Sequence, residues 1–289
     1  MNDTKIPWAD VTWNPITGCT KGCDYCYARQ MARRIYRMQG LGTDPEAAEV
    51  HAFHVLEGRA NTALGKACPS GFHPTMYPRR LDEPIRREKA ARIFLGSMGD
   101  IFDPAFPDSV RDRIFETVAA TPQHTYLLLT KQPENMRRYF RRCIVAPKTG
   151  LSGALWEITG QENLWLGVTV TNQADADERI PLLLDTPAAH RFVSVEPMLG
   201  PVRFNYVPVT HEAPNLDWVV AGAKTPGKPL HWDYSTDDNC AFAPPPVALQ
   251  WIRSLRDQCA EVAVPFFYKH GGSTPELDGV VHDAIGGEL

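Results

Sequence analysis

ARIFLGSMGDIFDPAFPDSVRDRIFETVAATPQHTYLLLTKQ, residues 91–132, holds the pattern that decides the fold. An apolar run over 91–100 ends in small and acidic residues. An amphipathic helical pattern follows over 109–121, and a second apolar run over 125–132 ends in Thr-Lys-Gln. Short apolar runs alternating with longer helical patterns specify βα units and a parallel sheet buried on both faces. The rhythm continues outward with helices expected over 133–143, 175–184 and 244–262, and strands over 164–172, 191–197, 216–223 and 264–269. Toward the N-terminus, helices are expected over 28–38 and 45–56, the second opening after the capping pair Thr43-Asp44. With five or more such strands, the expected fold class is α/β: a full or partial (βα) barrel of parallel strands. The expectation is a single domain over 1–289, with 225–246 as a variable active-site loop and 270–289 as a C-terminal tail.

Composition sets limits on function. Of 289 residues, 43% are hydrophobic and 22% charged, which is ordinary for a globular protein. No stretch approaches the roughly 20 apolar residues that span a bilayer, so no membrane partner is expected. The opening MNDTKIPWADVTW lacks a basic start and an apolar core, so no signal peptide is expected and the expected location is cytoplasmic. The net charge of −4 argues against a strongly basic nucleic-acid binder. The basic runs over 29–37, 86–92 and 137–142 sit on helical patterns, where a solvated outer face accounts for them.

Three of the seven cysteines crowd into TWNPITGCTKGCDYCYARQ, residues 12–30, at Cys19, Cys23 and Cys26. A disulfide framework wants an even number, and a closed tetrahedral zinc site wants four ligands. A cubane iron–sulfur cluster held by three thiolates keeps one iron open to an exchangeable ligand. Gly18 and Gly22 allow the turns that a tight wrap around one cluster needs, and Tyr25 supplies an aromatic face beside the open iron. A zinc site completed by Cys68 or a histidine, and metal-free thiols, are the competing readings. Cys259 falls on a helix face with Ile252 and Leu255 and is expected in the core. Cys68 and Cys143 carry no assigned role.

CTKGCDYC resembles the three-cysteine signature of the radical S-adenosylmethionine (radical SAM) superfamily. SMGDIF, LLLTKQPENM, NLWLGVTVTNQ, RFVSVEPMLGP and VPFFYK extend the resemblance to a phage-associated branch of that superfamily, over about 6–269. The resemblance implies a cluster loop at the C-terminal mouth of the barrel, a 4Fe-4S cluster on Cys19, Cys23 and Cys26, and S-adenosyl-L-methionine chelated at the open iron. Reductive cleavage of that coenzyme gives a 5′-deoxyadenosyl radical that removes a hydrogen atom from substrate. The turn Ser97-Met98-Gly99-Asp100 matches the segment that binds the methionyl amino group, with Asp100 replacing the usual glutamate; a helix-cap role is its structural alternative. Thr130 and Lys131 are candidates for a carboxylate or substrate anion, and Thr171 and Asn172 for ribose hydroxyls. Ser194 and Glu196 end a strand toward the same mouth and are candidates for ribose or substrate hydroxyls. Trp13 and Asn14 line the substrate side or, for Trp13, the core.

GAKTPGK, residues 222–228, nearly spells a phosphate-binding loop, but Pro229 stands where the magnesium-binding hydroxyl belongs, which excludes an NTPase. Here the chain departs from the family pattern, so a changed substrate is expected. Cys240, in the following loop, is the candidate hydrogen-atom donor. The expected activity is hydrogen abstraction from a nucleoside, nucleotide or sugar-like substrate, leading to epimerisation, rearrangement or modification. Nucleic-acid repair or modification stands second, and a non-enzymatic zinc-stabilised nucleic-acid-binding protein is the rival from another class. Expected partners are a small, nucleoside-like molecule and an external electron donor of the flavodoxin or ferredoxin type.

Overall fold

The computed structural model describes residues 1–38, 54–55, 72–145, 158–204, 215–223, 246–269 and 276–286. The chain divides into two compact units, Met1–Leu128 with Arg142–Leu164, and Leu129–Arg141 with Trp165–Leu289. The first holds β1 (Asn2–Asp3), β2 (Val11–Trp13), β3 (Ile16–Thr17), α1 (Tyr27–Met38), β4 (His54–Val55), β5 (Thr75–Met76), β6 (Arg92–Leu95), α2 (Asp108–Ala119) and most of β7 (Thr125–Thr130). Helix α3 (Pro133–Val145) and β8 (Leu164–Thr169) follow. The second unit continues with α4 (Gln173–Leu184), β9 (His190–Met198), β10 (Trp218–Ala223), α5 (Pro246–Glu261), β11 (Phe266–Tyr268), β12 (Glu276–Leu277) and β13 (Val280–Val281).

In the first unit the strand order is β1-β2-β6-β7, with β1 antiparallel and the others parallel. The β6 sequence RIFL is almost wholly buried because helices and neighbouring strands cover both its faces. Trp13, Ile93, Ile114, Phe115, Val118, Tyr126 and Leu127 form the centre of this core. Burial of each such side chain contributes about 1.5–3 kcal/mol. Trp13 belongs to that core: it is 0% exposed, and its Nε1–H donates to the Arg80 carbonyl at 2.7 Å. A small sheet, β3-β5-β4, lies beside the cysteine segment. His54 and Val55 were expected to end a helix and are strand instead. They pair with Thr75 and Met76, a long-range ladder that outweighs local helical pattern. The rest of that expected helix lies outside the described residues.

The second unit orders its strands β8-β9-β10-β11, all parallel. Every residue of β8 is buried. Gly167 leaves room for the Phe192 ring, which a Cβ would meet at 2.5 Å. Trp165 stacks on His190 at 4.3 Å and meets Trp218 edge-on. Cys259 is 1% exposed in this core, as its place on the α5 face predicts. The two runs hold eight mostly parallel strands, and among the described residues no closed barrel forms. No described helix is long and apolar enough to cross a membrane.

Strands end earlier than the apolar runs suggest, β6 at Leu95, β7 at Thr130 and β8 at Thr169. After β7 the Thr130 hydroxyl accepts from the Gln132 N–H, a local bond in place of the ladder. At the far end of the second unit, the turn between β12 and β13 carries Asp278 at φ +56°. Its carboxylate accepts from Arg253 Nε at 2.9 Å and Arg256 Nη1 at 3.0 Å, tying the hairpin to α5. Hydrogen bonding from Arg253, then from Arg256, holds the Asp278 pKa down at about 2. Because the folded value lies below the unfolded one of about 3.9, this tie is fully present above that pH and is lost as pH falls toward about 2. The protection factor of the Tyr268 amide, which donates to the His282 carbonyl beside this hairpin, is expected to fall over that window in the native chain. In Asp278→Asn the amide is expected to exchange faster at neutral pH, with the acid-dependent step gone.

Candidate functional site

The cysteine loop is built onto the turn that follows β6. Gly18 donates its N–H to the Met98 carbonyl at 2.9 Å and forms a parallel bridge with Gly99. A Cβ on Gly99 would lie 2.7 Å from the Gly18 carbonyl oxygen, and one on Gly18 would lie 2.2 Å from the His73 carbonyl oxygen. Gly18 and Gly22 have φ of +87° and +75°, so both turns entering the loop use conformations that side chains resist. The Asn14 carboxamide clamps the same turn, accepting from the Met98 N–H at 2.9 Å and bonding the Ser97 hydroxyl. The Tyr27 hydroxyl donates to the Ser97 carbonyl at 2.5 Å.

From the other side, buried Asp103 accepts from the Thr20 N–H at 2.7 Å and from the Thr20 hydroxyl. Arg111, 2% exposed, donates to the carbonyls of Ile101 and Asp103 and pairs with Asp108. An apolar cluster of Ala28, Ala32, Phe72 and Met98 backs the loop, with Cys19 and Cys26 packed against it.

Cys19, Cys23 and Cys26 are all free thiols of intermediate burial. Lys21 N–H donates to Cys19 Sγ and Arg29 N–H to Cys26 Sγ, each at 3.4 Å. Cys26 immediately precedes α1, so its sulfur caps the helix where amides converge. Burial pushes the Cys19 thiol far above its usual range, with the Asp100 and Asp103 carboxylates adding to the effect. A metal bound at Cys19 would have to displace a tightly held proton. The donor set fits an iron–sulfur cluster: soft sulfurs, sheltered from water, receiving backbone N–H bonds. Among the described residues no three His, Cys, Asp or Glu side chains converge on one ion position.

Tyr25 is half-buried within the loop, and Ser97, Gly99 and Asp100 lie in the turn after β6. Asp100 is 6% exposed and its Oδ1 accepts from the Phe102 N–H at 3.0 Å, a bond within the turn; it caps no helix, since α2 starts at Asp108 with Pro107 as its N-cap. In the second unit Thr130 is buried and accepts from the Gln132 N–H, with Lys131 half-buried beside it. Thr171 donates its hydroxyl to Asp175 Oδ2 at 2.6 Å, and Asn172 Oδ1 caps α4 through the Asp175 N–H. Arg179 pairs with Asp175 and bonds the Thr169 carbonyl beneath them. Both residues thus serve the helix start. Ser194 is buried, and Glu196 forms an ion pair with Lys269 at 2.8 Å. Cys240 lies outside the described residues.

Sequence reasoning missed the functions of Tyr27, Asp103 and Lys269 in holding these segments. Tyr27 adjoins the last cysteine and Asp103 follows the acidic turn, but neither position has a periodicity that announces a partner.

Fold and site define an α/β protein with a three-cysteine loop seated on the turn after a parallel strand. The profile of the family described as "Protein of unknown function (DUF5131)" matches residues 3–289, and the chain belongs to that family. No curated protein matches the chain. A solved structure of spore photoproduct lyase complexed with dinucleoside spore photoproduct is similar at TM-score 0.41 and 12% identity. The alignment covers 77% of this chain and 58% of that one, so the chain spans little more than half that protein's length.

Gly99→Ala tests the contact beneath the loop. The added methyl is expected to push Gly18 off the turn, destabilising the fold by about 1–3 kcal/mol. Hydrogen exchange at the Gly18 amide is expected to quicken more than exchange in β10, where the substitution makes no contact.

Proposed function

We propose that this protein is a radical S-adenosylmethionine enzyme. The Gly18–Gly99 bridge supports the reading best, because it joins a three-thiol loop directly to the Ser97–Asp100 turn. Cys19, Cys23 and Cys26 would hold a 4Fe-4S cluster, and Ser97, Gly99 and Asp100 would receive the methionyl amino group of S-adenosyl-L-methionine. When bound, cluster and coenzyme supply one-electron cleavage of a sulfonium bond and hydrogen-atom abstraction from substrate.

The protein's part is orientation. The Phe102 amide aligns the Asp100 carboxylate, Asn14 and Tyr27 fix the turn that carries it, and Tyr25 offers a stacking face. Thr130 and Lys131 are proposed for an anionic group, Thr171 and Asn172 for ribose contacts, and Ser194 and Glu196 for hydroxyls. Cys240 is the proposed hydrogen donor. The proposed substrate is a nucleoside, nucleotide or sugar-like small molecule, in keeping with the net charge of −4. An external flavodoxin- or ferredoxin-type protein would deliver the electron.

Anaerobic reconstitution of the full chain is expected to incorporate about four iron and four sulfide, and to release 5′-deoxyadenosine from S-adenosyl-L-methionine under a strong reductant. Cys19→Ala, Cys23→Ala and Cys26→Ala are each expected to lose both properties, while Cys143→Ala, in the buried core, keeps them. Stoichiometric zinc with no coenzyme cleavage would sink the proposal.

A further inference from the structure

Three residues interlock at the carboxyl ends of β9, β10 and β11. Glu196 Oε1 lies 2.8 Å from Lys269 Nζ, with the two side chains only 22% and 19% exposed. Strand β10 lies between the strands that carry them, so the pair reaches across it. Gly222 on β10 makes the crossing fit: a Cβ there would lie 3.1 Å from Glu196 Cγ and Cδ and 3.3 Å from Oε1. The Lys269 backbone is itself anchored, its N–H donating to the Ala221 carbonyl at 2.7 Å. A partly exposed ion pair adds little to stability, yet three adjacent strands are shaped around this one.

The chemistry suits a ligand with neighbouring hydroxyls. A carboxylate offers two acceptor oxygens and no donor, and a strand-end acidic residue is the group that grips ribose hydroxyls in dinucleotide folds. It does so only if its rotamer is fixed, which is what a lysine on the far side of a side-chain-free position achieves. Lysine is also a compact point charge, able to hold one carboxylate oxygen without covering the other.

We propose that Glu196 binds a vicinal diol, with Lys269 as its positioning residue and Gly222 as the gap through which the two meet. This rests on the proposed function only for the source of the diol, which is the ribose of the coenzyme or that of a nucleoside substrate.

Equilibrium binding to the full-length anaerobic chain tests it. The probes are the four common ribonucleosides and their 2′,3′-dideoxy counterparts, each measured with and without saturating S-adenosyl-L-methionine. The native chain is expected to prefer at least one ribonucleoside by about tenfold, the size of one charged hydrogen bond. Glu196→Gln, Lys269→Met and Gly222→Ala are each expected to bring that preference close to one, and Lys269→Arg, which keeps an ion pair but can cover both carboxylate oxygens, to weaken it as well. Preference that persists under saturating coenzyme assigns the diol to substrate; preference that the coenzyme abolishes assigns it to the coenzyme's own ribose. A native chain with no preference overturns the proposal. So does a preference that survives in Lys269→Met while the melting temperature falls, which is the mark of a purely structural pair. Should Gly222→Ala fail to fold, the two lysine variants still decide. Failure of the radical reading shows separately, as missing iron and uncleaved coenzyme, and leaves these ratios unchanged.

Discussion

Two glycines that touch backbone to backbone, Gly18 and Gly99, are the constraint on which the cysteine loop depends. Neither position has room for a methyl group, since His73 crowds one and the Gly18 carbonyl crowds the other. The result is that a loop with three thiols and the turn after β6 behave as one body. A cluster loop on a freely moving tether would pay an ordering cost each time it met its ligands. Here that ordering is completed during folding, by contacts that involve no thiol.

The supports behind this contact are electrostatic and buried. Arg111 satisfies two carbonyls that flank the acidic turn, and Asp103 in turn fixes Thr20 between the first two cysteines. A buried guanidinium is tolerated only when its donors are matched, and all three of its nitrogens have acceptors. The same carboxylates oppose ionisation of Cys19, whose thiol is already held up by burial. The Lys21 N–H, which donates to the Cys19 sulfur, acts in the opposite direction.

In the second unit polar residues at strand ends divide into two kinds. Thr130 and Asn172 accept from nearby backbone N–H groups and the Thr171 hydroxyl donates to the Asp175 carboxylate, so all three serve local turns and helix starts. Glu196 is different. Its partner is a lysine just past the end of β11, and a glycine on β10 leaves the space.

The strand–helix rhythm was legible in the sequence to within a few residues, because the period of apolar side chains is a local property that each segment carries by itself. Val193, Val219 and Phe266 lie in the predicted strands and pair in parallel. The spacing of Cys19, Cys23 and Cys26, and the special backbone of Gly18 and Gly22, were equally readable, since turn geometry is written in neighbouring residues. Only tertiary structure decided that His54 and Val55 join a ladder, that Trp13 is core, that Gly18 rests on Gly99, and that Glu196 meets Lys269 across Gly222. Each of these joins residues far apart in the chain, through shape and hydrogen bonding that no local period encodes.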